Sequence, residues 1–134
     1  MSVQPYLNFE GRCEEALAFY RQALGAEQVM LMRFKDAPDP AMAQSEQPEK
    51  VMHAAFRVGG SMLLASDGGC QGRPNFAGMS LTLTVANEAE AERTFKALAD
   101  GGQVQMPLAK TFYSPSFGMV ADRFGVPWMV YVEQ

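Results

Sequence analysis

The chain has 134 residues, of which 48% are hydrophobic and 19% charged, and its formal net charge at pH 7 is −4. This length suits one domain with a hydrophobic core and leaves no room for separate cofactor and substrate domains. The acidic balance and the lack of a Lys/Arg cluster argue against partners that attract basic proteins, so we expect no binding to nucleic acid or to anionic membrane surfaces.

The cellular location is predicted from three features of the sequence. The two cysteines, Cys13 and Cys70, fit neither a metal-binding framework nor a disulfide-rich secreted scaffold, and we interpret them as ordinary thiols of a reducing compartment. No apolar run approaches the roughly 18 residues of a transmembrane helix. The first residues lack the basic and apolar regions of a signal peptide. We therefore expect a cytoplasmic protein.

The first half of the chain predicts a strand, a helix and three further strands. Alternating apolar residues indicate a strand over 3–9, and an apolar stripe at helical spacing predicts a helix over 12–24 that ends at Gly25. The further strands are predicted at 28–34, 51–58 and 61–67. Residues 36–50 show no alternation and are expected to form a long loop, with room for a short helical turn.

A glycine-rich connection over 68–78 leads into a second copy of this pattern. Strict alternation over 80–85 predicts a strand, and Asn87 followed by Glu90 is typical of the N-cap of a helix that ends before Gly101. Three strands follow, near 103–108, 117–124 and 127–133. The two copies align Leu7 with Leu83, Tyr20 with Phe95 and Gly59 with Gly125. We therefore predict an α+β fold of two β-α-β-β-β modules, about 1–67 and 79–134, in a single domain 1–134.

Four sequence motifs carry a family resemblance. They are PYLNFEG at 5–11, EALAFY at 15–20, His53-Ala54, and the segment from Gly118-Met119 through DRFGVPW at 122–128. Together they resemble the vicinal oxygen chelate superfamily, which includes glyoxalase I, bleomycin-resistance proteins and extradiol dioxygenases. Within it they are most similar to the PhnB-like branch, often labelled 3-demethylubiquinone 3-methyltransferase-like. The resemblance implies two glyoxalase-like modules whose mixed sheet curls around a shared cavity, usually in a homodimer.

The resemblance also implies where a metal ion would be bound. The family's four ligand positions map to Gln4 (or Pro5), Leu63 or Leu64, Ser80 and Met129. Divalent ions prefer carboxylate, imidazole or thiolate donors, whereas these residues offer an amide, a hydrocarbon, a hydroxyl and a thioether. We therefore expect no metal and no other cofactor. A metal-dependent lyase, isomerase or dioxygenase is the alternative, and it would need ligands other than these four.

Strand parity predicts which side chains face the cavity. If Leu7, Phe9 and Val130 pack on the helices, the alternate positions of the same strands must point to the opposite face. The expected ligand-binding residues are Gln4, Tyr6, Asn8, His53, Thr82, Tyr113, Met129 and Tyr131. Aromatic and methionine side chains suit a planar or extended organic ligand, although the same residues could fill the interior of the sheet. Trp128 is expected in the core.

His53 is the one histidine of the chain and a weak candidate for catalysis. Free imidazole titrates close to neutral pH, so a histidine in a cavity can act as a general base. The alternative is a strand histidine that is hydrogen-bonded to a loop or lies at a dimer interface. Asp67 next to Gly68-Gly69 is interpreted as a turn or cap, and Asp122–Gly125 as a hairpin turn.

The functional prediction is a metal-free protein that binds a small organic molecule, or a metal-independent enzyme of unknown substrate. A drug-sequestering binder of the bleomycin-resistance kind is an alternative, because an acidic protein suits a cationic ligand. Methyl transfer is not supported, since the glycine-rich stretch 68–78 leads into a strand and no strand–glycine loop–helix motif for a nucleotide-like cofactor is present. A homodimer is predicted because the strands over 3–9 and 80–85 would otherwise be exposed edges.

Overall fold

The chain divides into two units, Met1–Pro74 (unit 1) and Asn75–Gln134 (unit 2). The computed structural model describes residues 1–43, 46–69 and 72–133. Cys70 and part of the glycine-rich connection lie outside the described residues.

Unit 1 contains one four-stranded sheet and one long helix. Its elements are β1 (Tyr6–Asn8), α1 (Cys13–Leu24), β2 (Glu27–Arg33), a 3-10 turn (Phe34–Asp36), α2 (Pro40–Ala43), β3 (Val51–Val58) and β4 (Ser61–Ser66). The strand order is β1-β4-β3-β2, with β1 parallel to β4 and the other pairs antiparallel. The predicted loop over 36–50 thus includes the short helix α2.

Unit 2 repeats this topology. Its elements are β5 (Leu81–Val85), α3 (Glu88–Ala99), β6 (Gln103–Ala109), β7 (Phe117–Ala121) and β8 (Pro127–Val132). The strand order is β5-β8-β7-β6, again with one parallel pair, β5 and β8. The predicted fold class, α+β with two β-α-β-β-β modules, is confirmed. The strands form two open four-stranded sheets instead of one continuous sheet, and β1 and β5 are edge strands as predicted.

Two predicted strands are shorter by several residues in the structure, for local reasons. The first begins at Tyr6 and not at residue 3, because Pro5 has no N–H to donate to the ladder, although its carbonyl still accepts from the Leu64 N–H at 2.9 Å. β7 ends at Ala121 and not at residue 124, because the Asp122 carboxylate accepts from the backbone N–H groups of Phe124 and Val126 and so folds the hairpin turn.

Each long helix packs its apolar stripe on one face of its own sheet. In unit 1 the ring of Tyr20 on α1 stacks on that of Phe56 on β3, with centroids 5.8 Å apart. In unit 2 a Cβ at Gly118 on β7 would lie 2.8 Å from the ring of Phe95 on α3, so the close approach of helix and strand requires glycine there. Trp128 is buried in the core, as predicted. Among the described residues, no helix is long and apolar enough to span a membrane.

Candidate functional site

The candidate site residues that belong to strands lie on the sheet face that the helix of each unit does not cover. On β1, Leu7 is 1% exposed and faces the core, whereas Tyr6 is 48% exposed and points the other way. On β8, Trp128 and Val130 are buried, and Met129 between them is only half-buried. Strand parity therefore predicted the two faces correctly. We call the side opposite the helix the open face of each sheet.

Tyr6 and His53 form a hydrogen-bonded pair on the open face of unit 1. The Tyr6 Oη atom lies 3.0 Å from Nδ1 of His53, and the two rings are 5.6 Å apart at 34°. β4 lies between β1 and β3 in the sheet, so the tyrosine side chain reaches across one strand to contact the histidine. The sequence indicated both residues separately but not their contact, because the parallel register of β1 and β4 has no local signal.

Apolar side chains lie beside this pair on the neighbouring strands. Met32 is opposite His53 on β2, and Leu64 is the register partner of Tyr6 on β4. Leu64 is in turn paired with Ala55, which is opposite Met30, a residue that is 37% exposed. The open face of unit 1 therefore combines two polar rings with an aliphatic and thioether surface.

Asn8 and Gln4 lie to either side of Tyr6 along the chain. Asn8 is exposed on β1, and its side chain lies about 3.5 Å from the position that a Cβ on Gly68 would take. Gln4 is exposed and precedes β1, so it is outside the strand in which it was predicted. Asn8 therefore shares the open face with Tyr6, whereas Gln4 lies before the strand.

The open face of unit 2 carries two rows of side chains set by strand register. In the first row, Thr82, Met129 and Met119 are neighbours on β5, β8 and β7, and the Thr82 hydroxyl lies 3.8 Å from Sδ of Met129. The second row holds Thr84, Tyr131 and Phe117. Sequence reasoning missed Met119 and Phe117. The predicted hairpin turn could have identified both residues, because a hairpin pairs residues that lie at equal distances on either side of its turn.

Tyr113 joins the second row through Phe117. It lies in the loop between β6 and β7, and its ring meets that of Phe117 edge-on at 5.5 Å and that of Phe112 at 4.8 Å. Phe112 is 93% exposed. The buried Ser114 anchors this loop, because its hydroxyl lies 2.6 Å from the carbonyl oxygen of Val132 at the end of β8. The loop therefore adds an anchored aromatic cluster beside the open face.

The residues at the family's metal positions do not suit a divalent ion. Leu63 is buried on the helix side, so the open-face residue of that pair is Leu64, a hydrocarbon. Gln4, Ser80 and Met129 supply an amide, a hydroxyl and a thioether, which bind divalent ions weakly compared with carboxylate, imidazole or thiolate. In the described ranges, no group of three or more His, Cys, Asp and Glu side chains could hold a metal ion.

Cys13 and Asp67 are structural and not part of the open face. The carboxylate of Asp67 is buried and accepts from the backbone N–H groups of Cys13 and Val51, each at 2.6 Å. Burial, with smaller contributions from Asp67 and Glu14, raises the pKa of the Cys13 thiol to about 12. At neutral pH Cys13 is therefore a protonated, unreactive thiol.

The sequence and the fold match those of known proteins. The family model of 3-demethylubiquinone-9 3-methyltransferase matches residues 1–131. The chain is 36% identical over 140 residues to Protein YjdN of Escherichia coli (strain K12), covering 98% of this chain and 95% of that protein. The crystal structure of protein PA1353 from Pseudomonas aeruginosa has a TM-score of 0.88 and 46% identity, covering 100% of this chain and 98% of that one.

The PhnB protein from Bacillus cereus is also similar, with a TM-score of 0.81, 30% identity and coverage of 98% and 99% of the two chains. A glyoxylase/bleomycin resistance protein/dioxygenase domain from Frankia sp. EAN1pec shares the fold at 13% identity, with a TM-score of 0.66 and coverage of 98% and 94%. The fold is thus that of the vicinal oxygen chelate class. Within that class the chain belongs to the 3-demethylubiquinone-9 3-methyltransferase family, the PhnB-like branch.

Proposed function

We propose that this protein binds a small organic molecule on the open faces of its sheets, without a metal ion. The observation that carries the proposal is the position of the candidate residues, since those on strands lie on the face that the helix leaves uncovered. A sheet face that only filled a core would be uniformly apolar. Here the Tyr6–His53 pair and the Thr82 hydroxyl supply directional polar groups among methionine and aromatic side chains, the usual composition of a ligand site.

The proposal excludes a role for a metal ion because of donor chemistry. Leu64 and Met129 stand where a metal-dependent relative would need strong ligands, and substitution of three such ligands removes most of the affinity of a site. Binding, or a conversion that uses only protein groups, is what the remaining side chains can support. The ligand is proposed to be bound in the cytoplasm, as the sequence predicts.

Methyl transfer is not part of the proposal, despite the family's description. The two connections from a strand to a long helix are short, and neither is rich in glycine: the first contains Gly11 alone and the second is Ala86-Asn87. A nucleotide-like methyl donor would need a glycine-rich turn at a helix N-terminus or a comparable cradle. Neither connection of this fold supplies such a glycine-rich turn.

The substitution Met129→Trp tests the proposed function. Tryptophan would fill the open face of unit 2 beside Thr82, so the thermal shifts of small organic compounds that bind on that face should disappear. The free energy of unfolding should fall by no more than about 1–3 kcal/mol, the usual cost of overpacking, because Met129 is only half-buried. A matched control is Met79→Trp, at an exposed position outside the strands.

Two outcomes would contradict the proposal. Retention of the ligand-induced shifts both in Met129→Trp and in His53→Leu would show that ligands bind elsewhere than on the open faces. The absence of any shift in the wild type across the collection would remove the binding function itself.

We further propose that two copies form a homodimer. β1 and β5 are edge strands of their sheets, and exposed edges are commonly covered by pairing or packing with another chain. Sedimentation at micromolar concentration should give twice the chain mass of 14.7 kDa. The interface should bury more than about 1,200 Å² in total, the lower end for specific stable complexes. A single species at the mass of one chain would contradict the dimer.

A further inference from the structure

The hydrogen bond between Tyr6 and His53 determines what the histidine can offer a ligand. We infer that His53 presents an N–H donor at Nε2 and therefore selects a ligand with an acceptor oxygen, either a carbonyl or a carboxylate, attached to an apolar body. This inference rests on the proposed function and specifies its ligand class. It also gives His53 a role other than the general base, which was one of the two interpretations of the sequence.

The direction of the hydrogen bond follows from the chemistry of the two groups. Tyr6 Oη and His53 Nδ1 are 3.0 Å apart. A phenol is a good donor and a weak acceptor, because its oxygen lone pair is delocalised into the ring, whereas an unprotonated imidazole nitrogen is a strong acceptor. For the neutral ring we therefore assign the tyrosine hydroxyl as the donor to Nδ1, which leaves the ring proton on Nε2. In the cationic ring both nitrogens carry protons, so Nε2 is a donor in either state.

Nε2 is accessible for this role. The described residues give His53 one hydrogen-bond partner, the Tyr6 hydroxyl, and among them no buried side-chain nitrogen or oxygen atom lacks a partner. Nε2 therefore cannot be a buried donor without a partner, and it is open to solvent or to a ligand.

The neighbouring side chains indicate the body of the ligand. Met32 lies opposite His53, and Leu64 is the register partner of Tyr6, so apolar side chains adjoin the pair on two neighbouring strands. Methionine sulfur makes favourable contacts with aromatic rings. Benzoate and benzamide are therefore suitable probes, because each joins an aromatic body to an acceptor oxygen, one charged and one neutral. Benzylamine has the same body without an acceptor oxygen and is the matched control.

The first experiment reads the position of the ring proton directly. Because the chain has a single histidine, a long-range ¹H–¹⁵N NMR spectrum of the full-length protein shows one imidazole and needs no assignment. At a pH where the ring is neutral we expect the Nε2–H tautomer. In Tyr6→Phe the Nδ1 resonance should move towards that of an imidazole nitrogen that accepts no protein hydrogen bond. An Nδ1–H tautomer in the wild type would overturn the inference.

The second experiment tests the ligand class by titration with the three probes. Benzoate or benzamide should perturb the Nε2–H resonance, and benzylamine should not; which acceptor binds more tightly distinguishes a carboxylate from a carbonyl ligand. His53→Leu should weaken acceptor binding by about tenfold or more, as expected for the loss of one good hydrogen bond. His53→Gln, which retains a donor, should bind more tightly than His53→Leu.

The outcomes separate the inference from the proposed function. Equal binding of benzoate and benzamide by wild type and His53→Leu would overturn the inference, as would a wild-type protein that responds to neither. The proposed function fails only if no compound of the wider collection produces a shift that Met129→Trp or His53→Leu abolishes.

Discussion

The two units share one topology but hold the N-termini of their long helices in different ways. In unit 2 the cap of α3 is local, since the Asn87 side chain accepts from the Glu90 N–H at 2.9 Å. In unit 1 the N-cap residue of α1, Arg12, makes no side-chain capping bond. The buried Asp67 instead accepts from the Cys13 N–H at 2.6 Å, although it is 54 residues away in the sequence.

This comparison shows that one structural need can be met locally or through the tertiary fold. A helix N-terminus has backbone N–H groups without partners inside the helix. An Asp or Asn side chain can accept from one of them, whether it is a neighbour in the sequence or comes from a distant segment. Asp67 also accepts from the Val51 N–H and so links the start of α1 to the start of β3. The buried carboxylate of unit 2, Asp122, does not cap a helix. It supports the β7–β8 turn and accepts from Nε1 of Trp128 at 2.9 Å.

The open faces of the two units also differ, in the side chains that they present. Unit 1 places a hydrogen-bonded pair of rings among apolar side chains, whereas unit 2 presents rows of threonine, methionine and aromatic residues. The repeat therefore preserves the helix-packed face and varies the other. Such divergence is expected if the helix-packed face maintains the fold and the open face determines what is bound.

Substitution of the buried aspartates should have the largest effect on stability. Asp67→Ala leaves two buried N–H groups without their acceptor, and Asp122→Ala leaves the turn amides and the Trp128 indole without theirs. At about 1.5–3 kcal/mol for each bond to a charged acceptor, we expect a loss of at least about 3 kcal/mol of unfolding free energy in each variant. Urea denaturation monitored by tryptophan fluorescence and circular dichroism measures both.

The control for these variants is Asp100→Ala. Asp100 pairs with Arg123 at 3.2 Å, but its side chain is 79% exposed, so the loss should stay below about 1 kcal/mol. If Asp67→Ala were as mild as this control, the long-range cap would not contribute to stability, and the contrast between the units would fail.

Removal of the local cap should have a smaller effect. Asn87→Ala should lower the unfolding free energy by about 1 kcal/mol, because one N–H in the first turn of α3 loses its acceptor. Asn87→Asp retains an acceptor and should cost less than about 0.5 kcal/mol. Equal losses in the two variants, measured by the same denaturation, would show that Asn87 acts by something other than its side-chain oxygen.

The same contrast explains which features could be predicted from the sequence. The order of elements, the Asn87 cap and the burial of Leu7 against the exposure of Tyr6 all follow from local periodicity. The contact of Tyr6 with His53 and the cap of α1 by Asp67 depend on the pairing of β1 with β4, which brings distant segments together. The pairing of Phe117 with Tyr131 is an intermediate case. It was not predicted, although its register follows from the hairpin turn that was predicted.

The central claim is that the protein binds an organic ligand without a metal ion. Its most direct test compares the affinity for one such ligand in protein dialysed against a chelator and in the same protein after addition of Zn²⁺, Ni²⁺, Fe²⁺ or Mn²⁺, with elemental analysis of both samples. We predict unchanged affinity and substoichiometric metal, because Leu64, Ser80 and Met129 offer no strong donor. Binding that appears only with metal, or one ion held per chain after dialysis, would contradict the claim.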